Sequence, residues 1–283
     1  MKFTYYPGCS LESSAKEYNL SAQSVCRGLG IELLELEDWS CCGATSAHNT
    51  NRLLAELLPA RNLFIAQRMG YDIAVPCSAC YSRLKKTDYV LRNNEEKRRE
   101  IEQALGFKFD GSVQVYHLLE ALTVKFGTAN IAAQVKKPLA GLKAACYYGC
   151  LIVRPPEVTG FARPENPMIM DGLVNALGAE ARPWSYKTDC CSSNQGLVNA
   201  GIARRVVDRI LGMAAEAGAD AVVTACPLCQ TALEMRRSPD ITIPVFYFTE
   251  LIGIALDLPA RKDWFVKHLV DPGPLLQNLS LAG

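Results

Sequence analysis

Ten of the twelve cysteines in this chain fall into two sets of five with matched spacing. Cys9 is followed after 31 residues by the adjacent pair Cys41 and Cys42, and after 34 more by the C-S-A-C run from Cys77 to Cys80. Cys150 is followed after 39 residues by Cys190 and Cys191, and again after 34 by C-P-L-C from Cys226 to Cys229. The last four positions of each set share one offset of 149, and the leading cysteine is offset by 141. The neighbours repeat too: YYPGC at 5–9 against YYGC at 147–150, and VYHLLEAL at 115–122 against VFYFTELI at 245–252. Two internal copies are the economical explanation. The chain is therefore expected to build two similar units, divided as 1–135 and 136–283, with GTANIAAQVKKPLAG at 127–141 as the linker.

Each copy reads as strands alternating with helices. In the first, KFTYYPG, IELLEL and DIAVPC are short strands, and 12–29, 51–69 and 79–92 are helices. In the second, KAACYYGC, AEARPWS and DAVVTAC are strands, and 167–177 and 197–217 are helices. Such alternation predicts an α/β fold: two tandem, pseudo-twofold-related cysteine-rich domains with mainly parallel sheets and flanking helices. Cys9, Cys77, Cys150 and Cys226 each follow an apolar strand, and ligands gather beyond the carboxyl ends of parallel strands. Helix N-termini follow closely and favour thiolate, the form that binds metal. The two unmatched cysteines read otherwise. Cys26 lies at helical spacing with Tyr18, Ala22, Val25 and Leu29 and belongs to a core, and Cys146 is a strand residue aligned with Tyr5.

Thirty basic against twenty-nine acidic residues leave no net field for nucleic acid or an anionic membrane. The N-terminus lacks the apolar run of a signal peptide, and no stretch approaches the ~20 apolar residues of a membrane span. A cytoplasmic protein without an integral membrane segment is expected. Twelve cysteines are then a heavy load, because thiols in that compartment stay reduced and structural disulfides are rare. Metal or redox chemistry is the reading that spacing favours over a scatter of small core residues. C-x-x-C pairs suit zinc, an iron–sulfur cluster or a redox dithiol. A structural zinc is satisfied by four ligands, so a fifth repeated cysteine favours iron–sulfur, with zinc the lesser alternative. Side chains of adjacent cysteines diverge, so each pair is suited to different iron atoms.

The pattern C-x31-C-C-G-x33-C-x-x-C of the first copy resembles the cysteine-rich CCG domain, which occurs twice in the catalytic B subunit of heterodisulfide reductase. The likeness spans nearly the whole chain. It implies an unusual non-cubane 4Fe-4S cluster on Cys9, Cys41, Cys42, Cys77 and Cys80, and a second on Cys150, Cys190, Cys191, Cys226 and Cys229. The second pair departs from the pattern, because Ser192 stands where the motif has glycine, and the loop after Cys191 must bring its backbone near by another route.

The resemblance implies an oxidoreductase that reduces or forms a disulfide, each cluster supplying one electron and capturing one sulfur. The substrate would be a small-molecule or protein disulfide. No ferredoxin-type cysteine run or flavin fingerprint is present, so electrons must come from a partner. By resemblance these partners are a small iron–sulfur C-type subunit and a flavin-containing A-type subunit, and the tail at 258–283 is a candidate docking segment. CCG domains also occur in electron-transfer or quinone-linked subunits of succinate, lactate and glycolate dehydrogenases, which is the alternative. His48, six residues after Cys42, either starts a helix or donates to a cluster sulfur or substrate. His117 either packs or contacts substrate. His268 is read as a surface residue, and Lys187 and Arg83 as solvated and outside the site.

Overall fold

Two four-stranded parallel sheets form, one from each copy. The computed structural model describes residues 1–44, 47–196 and 198–281, apart from the side chains of 48, 49 and 260–262. In the first sheet β1 (Lys2–Tyr5), β2 (Glu32–Glu35), β3 (Ile73–Val75) and β4 (Val115–His117) lie in the order β2-β1-β3-β4. In the second, β5 (Lys143–Tyr147), β6 (Glu180–Ala181), β7 (Ala221–Thr224) and β8 (Val245–Tyr247) lie in the order β6-β5-β7-β8. Every pairing is parallel, with Tyr5 opposite Ala74 and Tyr147 opposite Thr224. In both sheets the chain leaves the first strand to one side and returns on the other, and that reversal opens a crevice at the strands' carboxyl ends.

The helices start where local chemistry allows. Asn51 caps Arg52–Met69 by accepting from Leu54 N at 3.0 Å, and Gly70 closes that helix in the left-handed region. Asn199 repeats the cap on Ala200–Glu216, accepting from Ile202 N at 3.0 Å. Cys77 and Cys226 themselves precede the helices Ser78–Asn93 and Pro227–Met235. The expected helix at 12–29 is two pieces, Gly8–Glu12 and Lys16–Gly28. The strand expected over AEARPWS shrinks to two residues, since Pro183 has no N–H for the ladder. Cys26 and Cys146 are buried, as their patterns indicated.

The segment 127–141, between the copies, is packed: Thr128–Ala132 is helical, Ile131 and Leu139 are buried, and the amides of Lys136 and Lys137 both donate to the Ala255 carbonyl at 2.9 Å. Two expectations are corrected. His268 is no surface residue. Its side chain is 1% exposed and Nε2 lies 3.0 Å from Glu250 Oε1. The tail around it packs through Trp264, Leu276 and Leu281. Nor is Lys187 solvated: it is 2% exposed and Nζ pairs with Asp171 Oδ1 at 2.7 Å.

The larger hydrophobic cluster runs through both copies, from Phe3 and Tyr5 to Phe246 and Phe248. Buried polar contacts stitch the same boundary. Tyr18 Oη donates to the Ala225 carbonyl at 3.0 Å, the Tyr18 ring stacks on Tyr247 with centroids 4.0 Å apart, and Ser21 Oγ meets Thr249 Oγ1 at 2.7 Å.

Candidate metal centre

Each copy brings its cysteines to one sheet end by the same devices. Cys9 and Cys150 stand just after Gly8 and Gly149, both at φ +69°. A Cβ at Gly8 would lie 3.0 Å from Cys80 Sγ, and one at Gly149 would lie 2.9 Å from Cys229 Sγ. Only glycine lets the leading turn press this close to a sulfur while holding a left-handed conformation. The loop before each adjacent pair is held by a tyrosine: Tyr6 Oη donates to Ser40 O at 2.7 Å, and Tyr147 Oη donates to Asp189 O at 2.6 Å. Sequence reasoning used the glycine of YYPGC and YYGC but missed the tyrosine before it, although the repeat displayed both.

In the first copy Cys42 Sγ and Cys80 Sγ are 3.2 Å apart, and the Gly43 amide approaches Cys41 Sγ at 3.4 Å. In the second copy the Ser192 amide makes the same approach to Cys190 Sγ, again at 3.4 Å. Ser192 adopts φ +55°, the left-handed turn that Gly43 takes at +76°. The serine keeps the motif's geometry and absorbs the strain, about 1–2 kcal/mol for a residue with a Cβ.

A hydrogen bond from Cys80, helped by the Ala44 amide and the charge of Arg83, pulls Cys42 down to about 7 against the opposing effect of burial. A hydrogen bond from Cys150 pulls Cys190 down to about 6. Cys77 and Cys226 lie near enough to act on each other's ionisation across the boundary between copies. Cys229 and Cys77 favour the Cys226 thiolate, and Cys226 in turn holds Cys77 protonated. Cys9 and Cys190 are exposed while Cys42, Cys77, Cys80, Cys191, Cys226 and Cys229 are buried, so each set reaches from core to surface.

His117 is buried at the same junction. Its Nδ1 accepts from Leu119 N at 3.1 Å, its Nε2 lies 3.3 Å from Ser78 Oγ, and burial pushes its pKa down to about 4. It is a neutral helix cap, with Glu120 Oε2 accepting from the His117 amide at 2.9 Å. The His48 side chain lies outside the described residues. Lys187, absent from the expected site, has a mechanical part: its carbonyl accepts from Tyr148 N at 2.8 Å and Gly149 N at 3.1 Å, fixing the turn before Cys150. Tyr148 Oη and Lys187 Nζ both bind Asp171, at 2.8 and 2.7 Å. The partner that buries Lys187 lies sixteen residues upstream, and nothing in the local sequence marks it.

The donor set is all sulfur, and soft thiolates select iron–sulfur groups, zinc or copper(I). Among the described residues no three His, Cys, Asp or Glu side chains close on one point as they would around a single metal ion. The cysteine sulfurs and the glycine cradles at Gly8 and Gly149 fit a group bound through thiolates.

The cysteine-rich CCG domain matches this chain twice, over residues 3–85 and 144–234. The protein belongs to the CCG cysteine-rich domain family. One relative, the 8-methylmenaquinol:fumarate reductase membrane anchor subunit of Wolinella succinogenes, is 32% identical, covering 95% of this chain and 97% of its own. Another, the B subunit of the ferredoxin/F(420)H(2)-dependent CoB-CoM heterodisulfide reductase of Methanosarcina acetivorans, is 27% identical, covering 90% of this chain and 89% of its own. A crystal structure of a hypothetical protein from Helicobacter pylori shares the fold with a TM-score of 0.75 at 13% identity, over 95% of this chain and 52% of that one. Among the described residues no helix is long and apolar enough to cross a membrane.

Proposed function

We propose that this chain is the catalytic subunit of a cytoplasmic heterodisulfide reductase-like complex, an oxidoreductase that reduces or forms a disulfide between its two copies, divided near residue 135. The observation that supports it best is that Cys77 and Cys226, one from each repeated set, influence each other's ionisation across the boundary between copies, so that a bond with two similar ends would have a matching receptor on each side. Cys9, Cys41, Cys42, Cys77 and Cys80 would hold one non-cubane 4Fe-4S cluster, and Cys150, Cys190, Cys191, Cys226 and Cys229 the other. When bound, such clusters supply one-electron carriers and iron with affinity for sulfur. The chain's own part is to hold the thiolates: Tyr6 and Tyr147 anchor the loops, Gly8 and Gly149 admit the leading cysteines, and Gly43 and Ser192 aim amides at sulfur. Electrons would enter from a small iron–sulfur C-type subunit served by a flavin-containing A-type subunit.

A second reading rests on the Wolinella relative, whose name is that of a quinol-linked membrane anchor and which aligns over 95% of this chain. In that reading the chain is an electron-transfer or quinone-linked subunit of a succinate, lactate or glycolate dehydrogenase-type complex. Anaerobic iron, sulfide and zinc analysis followed by spectroscopic titration separates the two. Iron-loaded protein whose spectrum responds to disulfides or thiols supports the first reading. A response to quinols and to no disulfide or thiol replaces it with the second, and one zinc per copy removes both.

A further inference from the structure

We propose that a buried, hydrated chain of polar groups running from Glu17 to Tyr247 carries protons to the junction of the two copies; the proposal rests on the disulfide reading above. Reduction of R–S–S–R′ consumes two electrons and two protons: the S–S bond breaks, two S–H bonds form, and R–SH and R′–SH leave. The electrons come from an iron–sulfur donor subunit. Cys77 and Cys226, where the two sets approach each other, are buried, so protons delivered at that junction need a path of their own.

Three unpartnered polar atoms mark it. Glu17 Oε2, His268 Nδ1 and Tyr247 Oη are all buried and have no hydrogen-bond partner. Native proteins rarely leave such atoms unsatisfied, and the usual remedy is internal water bridging them. The three belong to one neighbourhood. Burial and the fields of Glu17, Glu250, Tyr18 and Cys226 all bear on Tyr247. His268 Nε2 is 3.0 Å from Glu250 Oε1, and Glu250 Oε2 accepts from the Tyr247 amide at 2.8 Å. The outer mouth is Lys267, half exposed, with Nζ 3.9 Å from Glu17 Oε2. Glu234 pairs with Arg237 at 3.5 Å, and its Oε2 accepts from the amides of Leu269 and Val270, next along the chain from His268. At the inner end the Tyr247 ring stacks on Tyr18, whose Oη binds the carbonyl of Ala225, the residue before Cys226.

The first copy is built differently at the equivalent place. His117 occupies the position of Tyr247, and both its ring nitrogens face partners, Leu119 N and Ser78 Oγ. Protons pass in succession from bulk water through Glu17 of the first copy and Tyr247 of the second, and from Tyr247 through internal water to the departing sulfurs, with His268 and Glu250 holding charge balance along the way.

The test uses the complete complex with its electron donor. Tyr247→Phe removes the relay oxygen and keeps the stacked ring. It should slow thiol release about a hundredfold and enlarge the solvent deuterium isotope effect, while reduction of the protein by its donor without disulfide keeps its wild-type rate. Infrared difference spectra of the full-length protein give a second, activity-free measurement: the carboxyl band that Glu17→Gln removes should shift in Tyr247→Phe, because the two groups share water. Unchanged thiol release with an unchanged isotope effect overturns the proposal, and so does a Glu17 band indifferent to Tyr247. A wild-type complex that turns over no disulfide defeats the functional reading instead, and the infrared measurement then still decides whether the hydrated chain exists.

Discussion

The two copies hold their cysteine loops in the same shape with different chemistry. In the first, the loop before Cys41 is held by a neutral clamp: buried Asn62 accepts from the Ser40 amide at 2.9 Å and donates to its carbonyl at 3.0 Å. In the second, a charged support is used elsewhere, with Lys187 and Asp171 buried together under the Cys150 turn. After the adjacent cysteines the first copy spends a glycine and the second a strained serine. The shared requirement is the position of backbone around sulfur, and side chains of quite different character satisfy it.

This contrast can be broken at graded points. Lys187→Met should be the most damaging change, because it leaves Asp171 charged and buried without its cation, a loss of about 3–5 kcal/mol. Chemical denaturation read by circular dichroism should show it, with iron lost first from the second copy. Asn62→Ala should cost less, about 1–3 kcal/mol, since the groups it strands are neutral. Here the iron deficit should fall on the first copy. Ser192→Gly should act in the opposite direction, relieving about 1–2 kcal/mol of left-handed strain, so its denaturation midpoint should rise with the iron content of both copies unchanged. A fall in that midpoint would mean the serine hydroxyl has a role of its own. Smallest are Tyr6→Phe and Tyr147→Phe, each removing one hydrogen bond worth about 0.5–1.5 kcal/mol. The two losses should match within error if the tyrosines do the same job.

Much of the site was legible because cysteine spacing is a property of sequence, and the strand-then-cysteine pattern by itself placed Cys77 and Cys226 at helix starts. What escaped was through-space pairing. Lys187 and His268 look solvent-loving in their local stretches, and only Asp171 and Glu250, brought up by other elements, make their burial tolerable. The segment at 127–141 read as linker from its glycines and polar residues, yet Ile131 and Leu139 are enough to pin it down. The meeting of Cys77 with Cys226 depends on how the two sheets dock, which no periodicity within either copy encodes.

Tyr18 and Ser21 sit in the first copy and satisfy their hydroxyls on Ala225 and Thr249 of the second. A gene for residues 1–135 alone would encode a protein with that seam laid open, its hydroxyls stranded and its aromatic face wet. Proteolysis between the copies should yield two fragments that stay together until denatured, and neither should refold in the absence of the other.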